Sequence, residues 1–372
     1  MRTASVGVFK VATTGPGDVS GLMAMIGSGA IDPATILAIL GKTEGNGGVN
    51  DFTREYAVAA LCTALAPELG LSPEAVEQRI AFVMSGGTEG VLSPHITVFT
   101  RREAERPAGM SGKRLSIGMA HTRDFLPEEI GRSAQIMETA RAVSAAMADA
   151  GIIDPADVHF VQIKCPLLTS DRVEAANARG NKTATTSAYS SMAYSRGASA
   201  LGVAVALGEI DSDVHDDDVL RRHDLFSSVA STSSGIELMH NVIIVLGNSA
   251  SSASDFEIGH AVMNDAIDAP AVVSALNSVG LGVGLGVAPR ATEGRELVNI
   301  FAKAEASPDG SVRGFRHTML EDTDISSTRH ARAAVGGLIA GLAGTGAVYV
   351  SGGAEHQGPA GGGPVAAIAR LS

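Results

Sequence analysis

The chain has no tryptophan, only 4% aromatic residues and just two cysteines among 372 residues. Without aromatic platforms there is little to stack the bases of a single-stranded nucleic acid. Cys62 and Cys165 stand too far apart to read as a zinc or redox motif, which fits a reducing compartment and makes the cytoplasm the expected location. Long apolar runs are also missing. No segment approaches the roughly 18 uninterrupted apolar residues of a membrane span, and "MRTASVGVFKVATTGPGDVSG" at the N-terminus has no signal-peptide core. Excess positive charge is absent too. A net charge of −12 argues against nucleic acid and anionic membrane as partners, because both need a clustered basic surface.

Hydrophobic residues make up 45% of the chain and charged residues 18%, enough for a large core and for two or three domains. Glycine, at 44 residues, is abundant, and its placement is informative. The pattern Ser-x-Gly-x-Glu occurs three times: "SGGTE" from Ser85 to Glu89, "SSGIE" from Ser233 to Glu237, and "SGGAE" from Ser351 to Glu355. Each copy follows an apolar or small-residue stretch, and the first two precede another strand-like run, "HITVF" and "NVIIVLG".

Upstream of each serine, a lysine closes an apolar run: "ILAILGK" at Lys42, "VHFVQIK" at Lys164 and "LVNIFAK" at Lys303. Between lysine and serine, an arginine opens a small-residue helical pattern: Arg54 in "TREYAVAALCTAL", Arg196 in "SRGASALGVAVAL" and Arg329 in "TRHARAAVGGLIAGL". The shared order Lys, Arg, Ser divides the chain into units at 1–104, 112–250 and 255–372. Each unit reads as strand, helix, strand ending in lysine, loop, arginine-bearing helix, strand, Ser-Gly loop, strand. The early helices, such as "GRSAQIMETARAVSAAMADAG", run to a glycine as a C-cap requires. This is an α/β repeat architecture, in which loop-end groups converge on a common axis and ring one site with three Lys, three Arg and three Ser.

Those residue types suit acyl transfer. A serine hydroxyl becomes a nucleophile when a base takes its proton, and a lysine crowded by cations or stripped of water is such a base. Glycines after the serine let backbone N–H groups face an oxyanion, and arginine forks suit a carbonyl-rich, weakly acidic ligand. Taken singly, a Ser-Gly-Gly is a turn and a lysine closing a strand is a solvated edge residue. Three copies in register reverse that weighting. Glu89, Glu237 and Glu355 read equally as structural partners of the arginines or as catalytic groups. His240 and His356 read as hydrogen-bonding residues, since no paired metal-ligand spacing accompanies them.

The stretches "GKTEGNGGVNDFTREYA", "FVMSGGTEGVLSPHITVF", "HFVQIKCPLL", "YSRGASALG", "FAKAEASPDG", "RGFRHTML", "SSTRHARA" and "YVSGGAEHQGPAGGGP" resemble the cyanuric acid amidohydrolase and barbiturase family over essentially the whole chain. The resemblance implies three structurally similar α/β repeat domains in pseudo-threefold arrangement around a central active site, a homotetramer, and hydrolytic opening of a cyclic amide by Ser–Lys pairs. It implies Ser233 as nucleophile with Lys164 as its base. It assigns substrate holding to the pairs Lys42–Ser85 and Lys303–Ser351, to Arg54, Arg196 and Arg329, and to the backbone of Gly86, Ser234 and Gly352. From pattern alone either serine of "SSG" could be the nucleophile. The implied product is carboxybiuret, which loses carbon dioxide to give biuret. No organic cofactor is implied. A structural Mg²⁺ or Ca²⁺ is implied, held by Glu305 with oxygens of Ala354, Gln357, Gly358, Pro359 and Gly362. The alternatives are ring opening of barbituric acid and, in another class, a non-catalytic small-anion or metal-binding scaffold whose lysines stay protonated. The glycine-rich stretch at 280–294 has no counterpart in the other units and no reading from sequence.

Overall fold

A computed structural model describes residues 3–284, 287–291 and 294–371. The first unit runs β1 (Ala4–Ala12), α1 (Ser20–Gly27), β2 (Ile36–Thr43), α2 (Phe52–Leu69), α3 (Pro73–Arg79), β3 (Ala81–Gly86) and β4 (His95–Glu103). The second runs β5 (Arg114–His121), α4 (Ser133–Ala150), β6 (Val158–Pro166), α5 (Ser170–Ala178), α6 (Ala188–Leu207), β7 (Ala230–Gly235) and β8 (Val242–Ser249). The third begins with β9 (Phe256–Met263) and α7 (Ala269–Ser278), followed by the short strands β10 (Leu281–Gly284) and β11 (Val287–Ala291). It continues through β12 (Arg295–Ala304), β13 (Ser311–Val312), β14 (Phe315–Arg316), α8 (Ser327–Ala343), β15 (Tyr349–Gly352) and β16 (Gly363–Leu371).

Three four-stranded sheets share one topology: β1-β4-β2-β3, β5-β8-β6-β7 and β9-β16-β12-β15. In each, the lysine strand lies parallel to the serine strand and antiparallel to the last strand of its unit. The lysine strand is irregular at the same place in all three, at Ile36/Ala38, Val158/Phe160 and Leu297/Asn299. In the first two units an Asp-Pro-Ala turn launches that strand, with Asp32 and Asp154 accepting a hydrogen bond from the N–H of Ala34 and Ala156. The third unit has the antiparallel pair β10–β11 there instead. The unread stretch at 280–294 therefore contains a two-stranded ladder, while positions 285, 286, 292 and 293 lie outside the described residues.

Side-chain alternation explains why the lysine strands read as unbroken apolar runs: both faces are buried. In β2, Ile36 and Ile39 pack toward the helices of their own unit, with Leu22, Leu61 and Leu65. Ala38 and Leu40 join a core shared by all three units. That shared core holds Val8 and Phe99 from the first unit, Ile117, Phe160 and Leu246 from the second, and Ile258, Phe301 and Ile368 from the third. Phe301 stands at its centre, with ring centroids 6.1 Å from Phe99, 5.4 Å from Phe160 and 5.5 Å from Tyr349. Each large apolar side chain buried there contributes about 1.5–3 kcal/mol. Among the described residues no helix is long and apolar enough to cross a membrane.

Candidate active site

The period-two rule that sends Leu40, Phe160 and Phe301 to the shared core sends Lys42, Lys164 and Lys303, further along the same strands, to the same face. The pairing register sets each lysine directly beside a serine: Lys42 beside Ser85, Lys164 beside Ser233, Lys303 beside Ser351. Ser234 is paired with Cys165 instead, so Ser233 is the serine of "SSG" that shares the lysine's register. All three lysines and all three serines are buried. A small cavity of about 30 Å³ collects the ends of these strands; Ser85, Ser233, Ser351, Gly86, Ser234 and Gly352 line it, together with Arg54 and Arg196. A larger cleft between the first and third units, lined by Lys10, Arg102, Glu296 and Arg370, contains none of the repeat residues.

The three pairs are not alike. Lys42 Nζ donates to Ser85 Oγ at 3.1 Å, and Lys303 Nζ to Ser351 Oγ at 3.2 Å. Lys303 also donates to the carbonyls of Thr232 (2.9 Å) and Gly352 (3.0 Å). Lys164 Nζ lies 2.7 Å from Glu237 Oε1, and Ser233 Oγ meets Ser351 Oγ at 3.3 Å. Loss of water drives Lys42 well below the usual lysine range, with Arg332 and Lys303 adding to the effect. Burial, assisted by Arg196, brings Lys303 down to about 7. At about 7, Lys303 is neutral in a large fraction near pH 7, which disfavours the scaffold reading, in which all three lysines stay charged.

The arginines reach around the ring, each into the serine loop of the following unit. Arg54 in α2 donates to the Ser234 carbonyl (3.3 Å) and the Gly48 carbonyl (2.7 Å). Arg196 in α6 forks onto Glu355 at 2.8 and 2.5 Å and reaches Ser234 Oγ at 3.4 Å. Its helix is pinned by Gln135, whose Nε2 donates to Ser195 Oγ at 2.9 Å. The third place is taken by Arg332, not by the expected Arg329. Arg332 lines the cavity and grips Glu89 through two bonds of 2.8 and 2.6 Å, with its side chain 3% exposed. Arg329 is 42% exposed and makes a single, longer bond of 3.2 Å to Glu89 Oε1, which it shares with Arg332. Both arginines sit on α8, and helical phase separates them: Arg332 stands as far ahead of the C-cap Gly344 as Arg196 does of Gly208. That spacing was available in the sequence.

Burial alone would raise Glu89 and Glu355, but Arg332 and Arg196 hold both below the usual carboxylate range. Asp51 was also missed. It caps α2 by accepting from Thr53 N–H at 3.1 Å and ties down the Gly45–Gly48 loop by accepting from Gly47 N–H at 2.8 Å. Its signal is an Asp just ahead of an apolar helix. Both histidines near the motifs make hydrogen bonds. His356 donates from Nδ1 to the Leu225 carbonyl (2.6 Å) and accepts at Nε2 from Leu220 N–H (2.8 Å), while His240 meets Asp124 at 3.2 Å.

The expected cation loop lies over the end of β12. His356 (φ 57°), Gly358 (φ 97°) and Gly361 (φ 84°) turn it back on itself. Burial pushes Glu305 up to about 8, and neighbouring Glu355 adds to the shift; these two carboxylates share one guanidinium, that of Arg196. Gln357 has its side chain committed, accepting from Thr232 N–H at 2.7 Å and donating to the Gly353 carbonyl at 3.2 Å, so it offers a backbone oxygen only. Among the described residues no cluster of three His, Cys, Asp or Glu stands here. A buried carboxylate crowded by a second one is a hard oxygen donor that fits a cation such as Mg²⁺ or Ca²⁺.

Three repeated α/β units meet at this site, and the comparisons with known proteins give the family to which such a chain belongs. The model of the amidohydrolase ring-opening protein family matches residues 7–370, and the chain belongs to that family. A cyanuric acid amidohydrolase of Bradyrhizobium diazoefficiens is 88% identical over 100% of both chains. Another from Pseudomonas sp. (strain ADP) is 58% identical over 98% of this chain and 99% of its own. A solved cyanuric acid hydrolase, described as evolutionary innovation by structural concatenation, superposes with a TM-score of 0.93 at 56% identity, covering 99% of this chain and 100% of its own.

Proposed function

We propose that this chain is a cyanuric acid amidohydrolase that opens the s-triazine ring with Ser233 as nucleophile and Lys164 as its base. The observation that carries the reading is the convergence of three Lys–Ser register pairs, one from each unit, on a single small cavity ringed by Arg54, Arg196 and Arg332. Cyanuric acid is a planar ring with three equivalent carbonyls, so a site with three similar sets of donors presents one to each edge.

In the proposed reaction, neutral Lys164 takes the Ser233 hydroxyl proton while the serine oxygen attacks a ring carbonyl. Backbone N–H groups of the serine loops hold the charge that develops on the carbonyl oxygen. The ring C–N bond breaks, its nitrogen takes the proton from Lys164, and water cleaves the acyl-enzyme. One water is consumed, giving carboxybiuret, which then loses carbon dioxide to leave biuret. Lys42–Ser85 and Lys303–Ser351 hold the other two edges.

The proposal extends to the division at 1–104, 112–250 and 255–372, each unit supplying one pair, and to a homotetramer. It also includes a divalent cation, Mg²⁺ or Ca²⁺, at Glu305 with oxygens of Ala354, Gln357, Gly358, Pro359 and Gly362. The cation neutralises that carboxylate and fixes the loop behind Ser351. Incubating the protein with cyanuric acid or with barbituric acid, and following ring absorbance and biuret formation, tests the reading. Turnover of cyanuric acid to biuret is expected; turnover of barbituric acid alone, or of neither, overturns it.

A further inference from the structure

In the first and third serine loops a guanidinium lies directly over the third motif residue, Arg332 over Gly87 and Arg196 over Gly353. Both glycines adopt left-handed backbone (φ 109° and 77°), which only glycine takes without strain. Their glutamates, Glu89 and Glu355, are held by those same arginines. The second loop departs from this plan. Gly235 has no left-handed backbone, and the space above it is filled by the carboxylate of Glu237 itself. That carboxylate is 2.7 Å from Lys164 Nζ, and its side chain is 47% exposed where Glu89 and Glu355 are 12% and 13%. Arg54, the arginine that the cyclic order assigns to this loop, binds the carbonyls of Gly48 and Ser234 and holds no motif glutamate.

We propose that Glu237 is the positioning residue that sets the Lys164–Ser233 pair apart. In the arrangement seen here its carboxylate engages the Lys164 amino group, and its transfer to Arg54, matching the places of Glu89 and Glu355, frees Lys164 to act. The freed ammonium gives one proton to water, leaving the neutral amine and a hydronium ion, and the amine then serves as the base for Ser233. This rests on the reading of Ser233 and Lys164 as the reacting pair. Lys164 holds Glu237 down to about 2 against the opposing effect of burial, and Arg54 adds to the pull. The other charged or titratable groups facing the pair are Arg172 on α5, which binds the carbonyls of Leu167 and Ile236, and Lys303, which binds the carbonyl of Thr232. Arg196, which reaches Ser234 Oγ, Asp51, 3.9 Å from Arg54, and the thiol of Cys165, raised by burial, also stand around the pair. None of them differs between the variants that test the idea.

The experiment compares Glu237→Gln with Glu89→Gln by two readouts. One is the pH profile of kcat/KM for cyanuric acid. The other is the pH dependence of acetic anhydride modification at Lys164, read by mass spectrometry, which needs no turnover. A carboxylate beside an ammonium favours the charged form, so its removal favours the amine. For Glu237→Gln we expect the acid limb and the modification curve to move together to lower pH by about one unit, the small end of the range for an adjacent charge because Glu237 is half exposed. Glu89→Gln should leave both midpoints in place whatever it costs in stability. Unmoved midpoints in Glu237→Gln with turnover intact, or equal movement in Glu89→Gln, overturn the proposal. A shift in modification without turnover of cyanuric acid by the wild type would strike down the reacting-pair reading while supporting the Glu237–Lys164 coupling.

Discussion

The second serine loop and the third carry the same pattern of letters, yet they are built differently. In the third, Ser351 is tied to its own lysine, Glu355 is locked by Arg196, and the chain turns on through Gln357 into a loop that fits a cation. In the second, Lys164 is drawn to Glu237, Ser233 leans on Ser351 from the neighbouring unit, and Arg54 is left holding carbonyls. The contrast shows how a pseudo-threefold site can assign one reaction to one edge. Two edges tie each serine to its own lysine, while at the third the lysine pairs with a carboxylate and the serine with its neighbour; under the proposed function the first two clamp and the third reacts.

The largest expected effect comes from removing the serines one at a time. Ser233→Ala should lower kcat for biuret formation by more than the ~10²–10³ that a lost oxyanion donor costs. Ser85→Ala removes the bond from Lys42, and Ser351→Ala those with Lys303 and Ser233; at about 1 kcal/mol per hydrogen bond, both should act mainly on KM. Steady-state kinetics of the three variants checks this, and equal losses would erase the distinction between the loops.

The arginines sharpen the comparison next. Arg332→Ala leaves Glu89 buried without its main partner and should destabilise the fold by about 3–5 kcal/mol, the usual result of breaking a buried pair. Arg329→Ala, removing an exposed partner of the same carboxylate, should cost no more than about 1 kcal/mol. Denaturant titration of both variants separates the two positions.

A smaller effect concerns the third loop alone. Glu305 is raised from 4.5 to about 8, so the folded chain binds its proton more tightly than the unfolded chain. Its contribution is therefore full below pH 4.5 and is lost as pH rises toward 8. Mg²⁺ or Ca²⁺ should raise Tm more at pH 8.5 than at pH 5, and Glu305→Gln should remove most of that difference. Thermal melts with and without the cation read it directly.

Much of this was legible because repetition is a sequence property. Lysines closing apolar runs at Lys42, Lys164 and Lys303 marked the central strands, and parallel pairing then brought each to its serine. The choice between Arg329 and Arg332 was harder, since "TRHAR" places two arginines on one helix and only phase against Gly344 decides which enters the cavity. The Lys164–Glu237 contact was not legible at all. It depends on the backbone of Gly235, which departs from Gly87 and Gly353 although all three positions are glycine. The two-stranded ladder within 280–294 was hidden for a related reason: a glycine-rich strand pair carries no alternating apolar signal.

The most direct test of the account is to quench the enzyme in acid during turnover of cyanuric acid and to map the covalent adduct by peptide mass spectrometry. The account predicts an acyl adduct on the peptide bearing Ser233, at the serine in register with Lys164, and none at Ser85 or Ser351. An adduct on either of those serines would contradict it, as would full turnover in the Ser233→Ala protein.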